Sequence, residues 1–290
     1  MNKKWQLSLI LLIWVFLAIA TSAYPQTSEQ ITNGLSWLAS NQNLDGSWAE
    51  NITASYHSTA TVVESLNSIG SKDLVYTNAV NWITAQQVDN VRYLSLKIIL
   101  LAPSGNDISS DINSLLSYQN SDGGFGEYIG GTSGVSYTSL SLLALKAIKY
   151  SGKSIINNAL SYLLSAQNSD GGWGVISGQS SEVFYTALVM QVLSTQSQTT
   201  SVASAINSAT RYLTGQQRVD GSFGSLFETA LAYSALVAVS TDSTVLGNAV
   251  NYLTKTQSPD EGWGKAKNLS HRVRFSSFCF AKPYQHMTKT

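Results

Sequence analysis

Tyr162-Leu163-Leu164-Ser165-Ala166-Gln167-Asn168-Ser169-Asp170-Gly171-Gly172-Trp173-Gly174 is the stretch on which the fold turns. The same phrase returns as Tyr212-Leu213…Gln217…Asp220-Gly221-Ser222-Phe223-Gly224, and it is already present as Trp37-Leu38…Gln42…Asp45-Gly46-Ser47-Trp48. A later copy reads Tyr252-Leu253…Gln257…Asp260-Glu261-Gly262-Trp263-Gly264. Around Gln119 the turn Asp122-Gly123-Gly124-Phe125-Gly126 is intact, with Ser114 where the first aromatic belongs. Around Gln87 the phrase decays to Trp82-Ile83…Asn90-Val91-Arg92-Tyr93. Self-similarity at such intervals is the signature of a repeat architecture.

The glutamines stand at 42, 87, 119, 167, 217 and 257, with gaps of 45, 32, 48, 50 and 40 residues. Such units hold two helices and two connections, as in helical repeats of about 40–47 residues. Before each glutamine, apolar residues recur three and four apart, as in Ile155-Ile156…Ala159-Leu160…Leu163-Leu164, which predicts an amphipathic helix. The Asp-Gly-Gly stretch is expected to end it, because glycine takes left-handed dihedrals beyond a helix terminus. A second helix follows, expected over 136–149, 182–193 and 227–239. These second helices are apolar nearly all round and so belong inside, while the first helices, richer in Asn, Ser and Thr, form an outer layer. The predicted fold is all-α, a double-layered array of about six helical-hairpin repeats with inner helices within outer ones and the last repeat incomplete.

The phrase resembles the QW motif of the squalene cyclase and prenyltransferase superfamily of α/α-toroids. The resemblance covers about residues 28–264, and five of six copies keep the glutamine and the aromatic at one spacing. It implies a structural repeat motif in which Gln42/Trp48, Gln119/Phe125, Gln167/Trp173, Gln217/Phe223 and Gln257/Trp263 tie each repeat to its neighbour. Physical reasoning agrees, since a buried amide must find partners and helix ends carry orphan backbone groups.

The catalytic signatures of that superfamily do not carry over. The cyclases protonate an alkene with an Asp-x-Asp-Asp motif, and no such string occurs here. Prenyltransferases hold zinc with Asp, Cys and His; the chain has only Cys279 and His57, His271 and His286. A thioester motif is likewise lacking. The sequence therefore calls for no metal and no cofactor.

Composition narrows the function further. Lys+Arg and Asp+Glu are each 17, for a formal net charge of +0, so there is no electrostatic footprint for nucleic acid. Charged residues are 12%, against about 25% in a typical globular chain, while hydrophobics at 43% still supply a core. Residues 1–23 read as a signal peptide: Lys3 and Lys4, an apolar run from Leu7 to Ala20, then Thr21-Ser22-Ala23, with cleavage expected after Ala23. That run is short for a bilayer span of about 20 residues, so an N-terminal membrane anchor is the lesser alternative. The expected product is secreted or extracytoplasmic, without stable membrane insertion. Residues 24–264 form the repeat domain; 265–290 break the pattern and read as an aberrant or truncated tail.

Candidate ligand contacts lie at the starts of the inner helices: Tyr56 and His57, Tyr137, Phe184 and Tyr185, and Phe227. Such rings either bind an apolar small molecule, a glycan face or a peptide, or plug the core between helices. Glu64 and His57 are the candidate acid–base residues. Glu64 stands in a mostly apolar helix, where desolvation would raise its pKa. The expected function is an exported, non-catalytic binding or interaction module with a central cavity for an apolar or extended ligand. The alternatives are a divergent terpene cyclase or prenyltransferase-type enzyme, and a structural repeat of a surface assembly.

Overall fold

The computed structural model describes residues 35–48, 52–239 and 241–256. The expected signal peptide, Gln257, Trp263 and the 265–290 tail lie outside the described residues, as does the side chain of His57. Helices alternate along the chain: α1 (35–40), α2 (Ile52–Ser68), α3 (Leu74–Ala85), α4 (Val91–Leu101), α5 (Ser109–Leu116), α6 (Val135–Ala147), α7 (Lys153–Ser165), α8 (Val183–Ser194), α9 (Thr200–Gly215), α10 (Leu226–Val237) and α11 (Ser243–Lys255). A two-residue antiparallel pair, β1 (Phe125–Gly126) with β2 (Ser133–Gly134), is the only sheet among the described residues. The described residues form two compact units, one up to residue 86 together with 253–256 and the other from 87 to 252.

In the larger unit the even-numbered helices pack in succession, α4 on α6, α6 on α8 and α8 on α10. They are the apolar ones: α8 buries Phe184, Tyr185, Ala187, Leu188, Val189, Met190, Val192 and Leu193. The odd-numbered helices bury a single stripe, as α7 does with Ala159, Tyr162 and Leu163, and pack on the outside. An all-round apolar helix is driven to the interior and a one-sided helix covers it. In the smaller unit α2 packs on α3.

The repeat phrase is the joint. Gln167 donates through Nε2 to the Gly171 carbonyl (2.9 Å) and to the Ala205 carbonyl of α9 (3.0 Å). Gln42 does the same to Gly46 and Val75, Gln119 to Gly123 and Ile155, and Gln217 to Gly221 and Val245. Each glutamine thus clamps its own turn to the next outer helix. The acceptors are carbonyls inside that helix rather than its orphan N–H groups, so the amide uses their second lone pairs. Gln87 is exposed, in keeping with its decayed phrase.

The glycine has a different role from the one expected. The outer helices stop before the glutamine, and Gly171 (φ +88°) sits six residues past Ser165. A Cβ on Gly171 would lie 2.5 Å from the Ser208 carbonyl oxygen of α9. It is therefore a docking point for the next helix, three residues beyond the glutamine's acceptor, and not a helix cap.

Two variants of the turn reach the same bonds. Asp170 accepts from the Gly172 amide (2.9 Å) and from the Ser181 hydroxyl (2.7 Å). In the Asp-Gly-Ser copies the serine is local: Ser47 donates to Asp45 and Ser222 to Asp220. In the Asp-Gly-Gly copies an arm before the buried helix returns a serine, Ser133 or Ser181, over the glycine. The arms also reach backward. Glu127 accepts through its carbonyl from the Val91 amide (3.0 Å), and Val175 from the Val135 amide (3.1 Å), capping α4 and α6.

Candidate functional site

In each repeat the turn lies where the outer helix ends and the buried helix begins. A threonine in each of four buried helices sets the local geometry. Thr59, Thr138, Thr186 and Thr229, all fully buried, accept from the backbone amides of Trp48, Phe125, Trp173 and Phe223 at 2.9–3.0 Å. Thr138, Thr186 and Thr229 pass the bond on to carbonyls four residues back. Trp173 fills the joint with its ring and donates its indole N–H to Leu163 (2.7 Å), one of the carbonyls left over at the end of α7.

The structure brings together three of the six expected ligand residues. Phe184 lies edge-on to Tyr185, with centroids 4.9 Å apart, and 5.7 Å from Phe227. Phe184 and Tyr185 are buried and Phe227 is half-buried. Tyr137 belongs to a different group: its hydroxyl donates to Glu127 Oε2 (2.8 Å), and Arg92 lies 6.0 Å from its ring centre. Burial first, then the bond to Glu127 and its charge, pushes that hydroxyl up to about 12, with Arg92 pulling the other way. Tyr56, half-buried on α2, tilts against Trp82 of α3 at 6.3 Å.

Glu64 lies on α2, two turns beyond position 57 on the same stripe of the helix. The residue keeps some contact with solvent, but protein surrounds it, and this desolvation alone pushes its carboxyl from 4.5 up to about 8. It makes no hydrogen bond or ion pair with a described residue. No group of three His, Cys, Asp or Glu among the described residues is placed to hold a metal ion. An open cleft of about 250 Å³ lies between the turns that lead into α8 and α10, lined by Glu182, Tyr212, Arg218, Phe223 and Glu228 among others. Glu228 is already occupied in a capping box with Ser225.

Sequence reasoning missed Arg92. It stands in the first turn of α4, 8% exposed, with its Nε buried and unpartnered. It also missed Lys97, almost fully buried, which pairs with Asp111 at 3.0 Å.

The family model of the prenyltransferase alpha-alpha toroid domain matches residues 12–94 and 93–262. The chain is a member of that family. No curated protein sequence matches this toroid chain. Among solved structures it is similar to the type II terpene cyclase MstE from Scytonema (17% identity, 82% of this chain and 81% of that one, TM-score 0.61). It is also similar to Candida albicans protein geranylgeranyltransferase-I complexed with GGPP (12% identity, 88% and 94%, TM-score 0.58). A third neighbour is ent-copalyl diphosphate synthase from Streptomyces platensis (20% identity, TM-score 0.57), where 70% of this chain matches 44% of that one. At these identities the likeness is one of fold. No helix of the toroid among the described residues is long and apolar enough to cross a membrane.

Proposed function

We propose that this toroid is an exported, non-catalytic binding module that holds an apolar, extended ligand of the isoprenoid class. The observation that carries the reading is the ring group Phe184, Tyr185 and Phe227, set at the starts of the adjacent buried helices α8 and α10. An edge-to-face ring group with the half-buried Phe227 at its margin suits an apolar chain, which needs area and no strong polar partner. Two structures of the same fold contain such molecules: the Candida enzyme holds GGPP, and a variant of the Scytonema cyclase holds geranylgeranyl dihydroxybenzoate. The apolar run from Leu7 to Ala20 followed by Thr21-Ser22-Ala23 supports export. The test is titration of the protein lacking residues 1–23 with a fluorescent polyprenyl alcohol. Saturable one-site binding weakened by Phe227→Ala is expected, and no saturation with chains of any length would overturn the reading.

Glu64 favours a second reading, a divergent terpene cyclase. A carboxyl still protonated near neutrality and free of internal partners is suited to donate a proton. Incubation with linear polyprenes would then yield a cyclic product that Glu64→Gln does not form. Unchanged substrate in both proteins removes this reading.

A further inference from the structure

The buried helices α4, α6 and α8 each begin at a valine, and in two of them the arm of the following repeat takes that valine's amide. The Glu127 carbonyl accepts from Val91 (3.0 Å) and the Val175 carbonyl from Val135 (3.1 Å). These arms run over 126–134 and 174–182. The next copy has no arm, because Gly224 (φ +125°) turns the chain straight into Ser225, the cap of α10. No carbonyl reaches back to α8, and the Val183 amide is bonded by no described residue. The open cleft of about 250 Å³ lies at this point, bounded by Val183 on one side and by Gly224 on the other.

Two side chains of the cleft carry the same signature. In the armed repeats the asparagine after the clamp glutamine holds the arm: Asn120 donates through Nδ2 to the Gly131 carbonyl and Asn168 to the Gln179 carbonyl, both at 2.7 Å. That position in the next copy is Arg218, which lines the cleft and whose guanidinium makes no hydrogen bond or ion pair with a described residue. Tyr162 donates its hydroxyl to the Ser133 carbonyl (2.8 Å), whereas its counterpart Tyr212 lines the cleft with a hydroxyl bonded to no described residue. The cleft therefore offers three donors at places where the preceding repeats satisfy theirs with backbone carbonyls. Its two carboxylates, Glu182 and Glu228, outnumber the one guanidinium and oppose a free anion. A peptide group supplies the acceptor without net charge.

We propose that this cleft binds an extended, uncharged peptide segment of a partner protein, laid where an arm lies in the two preceding repeats. One carbonyl of the segment accepts from the Val183 amide, as those of Glu127 and Val175 do from α4 and α6, and a later carbonyl accepts from Arg218. Main-chain bonds to fixed donors are a recurrent way of holding an extended peptide.

The experiment measures fluorescence anisotropy of a labelled peptide copying residues 174–181, acetylated and amidated at its ends, with the full-length chain. The peptide is expected to bind about tenfold more tightly than a scrambled peptide of the same composition. Val183→Pro removes the amide donor at a first helical position, which tolerates proline, and should weaken binding about tenfold with melting unchanged. Arg218→Ala should weaken it as much, whereas Arg218→Asn, which restores the residue of the armed repeats, should bind within about twofold of wild type. No preference over the scrambled peptide overturns the proposal, and so does undiminished binding by Val183→Pro. Displacement of the peptide by equimolar acetate, or Arg218→Asn behaving as Arg218→Ala does, would show a site for free anions and would also overturn it.

Discussion

The Ser181 hydroxyl donates to Asp170 Oδ1 at 2.7 Å across eleven residues, and it passes over Gly172, where a Cβ would lie 2.5 Å from the Ser181 Cβ. Glycine and distant serine are two halves of one device, since Ser47 and Ser222 make the same bond from the glycine's own position. Ser181→Ala is expected to cost about 1 kcal/mol of unfolding free energy in urea titrations. Gly172→Ser alone costs about 2 kcal/mol through the clash. The double variant Gly172→Ser/Ser181→Gly should be more stable than Gly172→Ser, with a favourable coupling energy. Simple additivity would mean the two positions are independent.

The glutamine clamp is the stronger joint. Gln167→Leu removes bonds to Gly171 and Ala205 while keeping most of the volume, and leaves the Ala205 carbonyl without its second donor and the Gly171 carbonyl without the side-chain donor that meets it. A loss of about 2 kcal/mol is expected by chemical denaturation. The same substitution at Gln87, which is exposed, should change stability by no more than about 0.5 kcal/mol.

Lys97 and Asp111 join a buried helix to an outer one at 3.0 Å, and both are largely shielded from solvent. Asp111→Ala takes the carboxylate away from a buried ammonium and is expected to lower stability by about 3 kcal/mol. Lys97→Met/Asp111→Leu, which removes both charges, should lose far less. Raising salt should leave the wild-type pair unaffected, because ions do not screen what solvent does not reach.

Burial raises the Glu64 carboxyl from 4.5 to about 8, so the folded chain binds a proton there more tightly than the unfolded chain. Its contribution to stability is complete below pH 4.5 and is lost as pH climbs toward 8. Melting of wild type should therefore fall relative to Glu64→Gln across that window, by at most about 1.4 kcal/mol per pH unit and less in proportion to the solvent that reaches the carboxyl. Parallel curves from pH 4 to 9 would show that Glu64 ionises normally.

The layer order was legible because the phrase from glutamine to aromatic marks four of the five described passages from outer to buried helix. What the phrase bonds to was not. Thr59, Thr138, Thr186 and Thr229 lie 11, 13, 13 and 6 residues from the amides they bind, so varying arm lengths broke up a constant contact. The aromatics beside them drew notice as candidate ligand residues, but that Phe184, Tyr185 and Phe227 meet in one group while Tyr137 bonds Glu127 depends on packing between helices. Glu64 was visible as a lone acid in an apolar helix. Arg92 and Lys97 were not, because they follow the decayed copy at Gln87 and their burial depends on neighbours far along the chain.

The joints of the Asp-Gly-Gly repeats reach in both directions, the glutamine ahead to the next outer helix and the arm behind to the preceding buried one. Like overlapping roof tiles, each such unit is pinned under one neighbour and over another, so deleting it unseats two. New chain ends are then best tolerated in the opposite connections, 148–152 and 195–199, which carry neither pin. A chain reopened at either place keeps every overlap, whereas one reopened in the 126–134 arm loses the cap on α4.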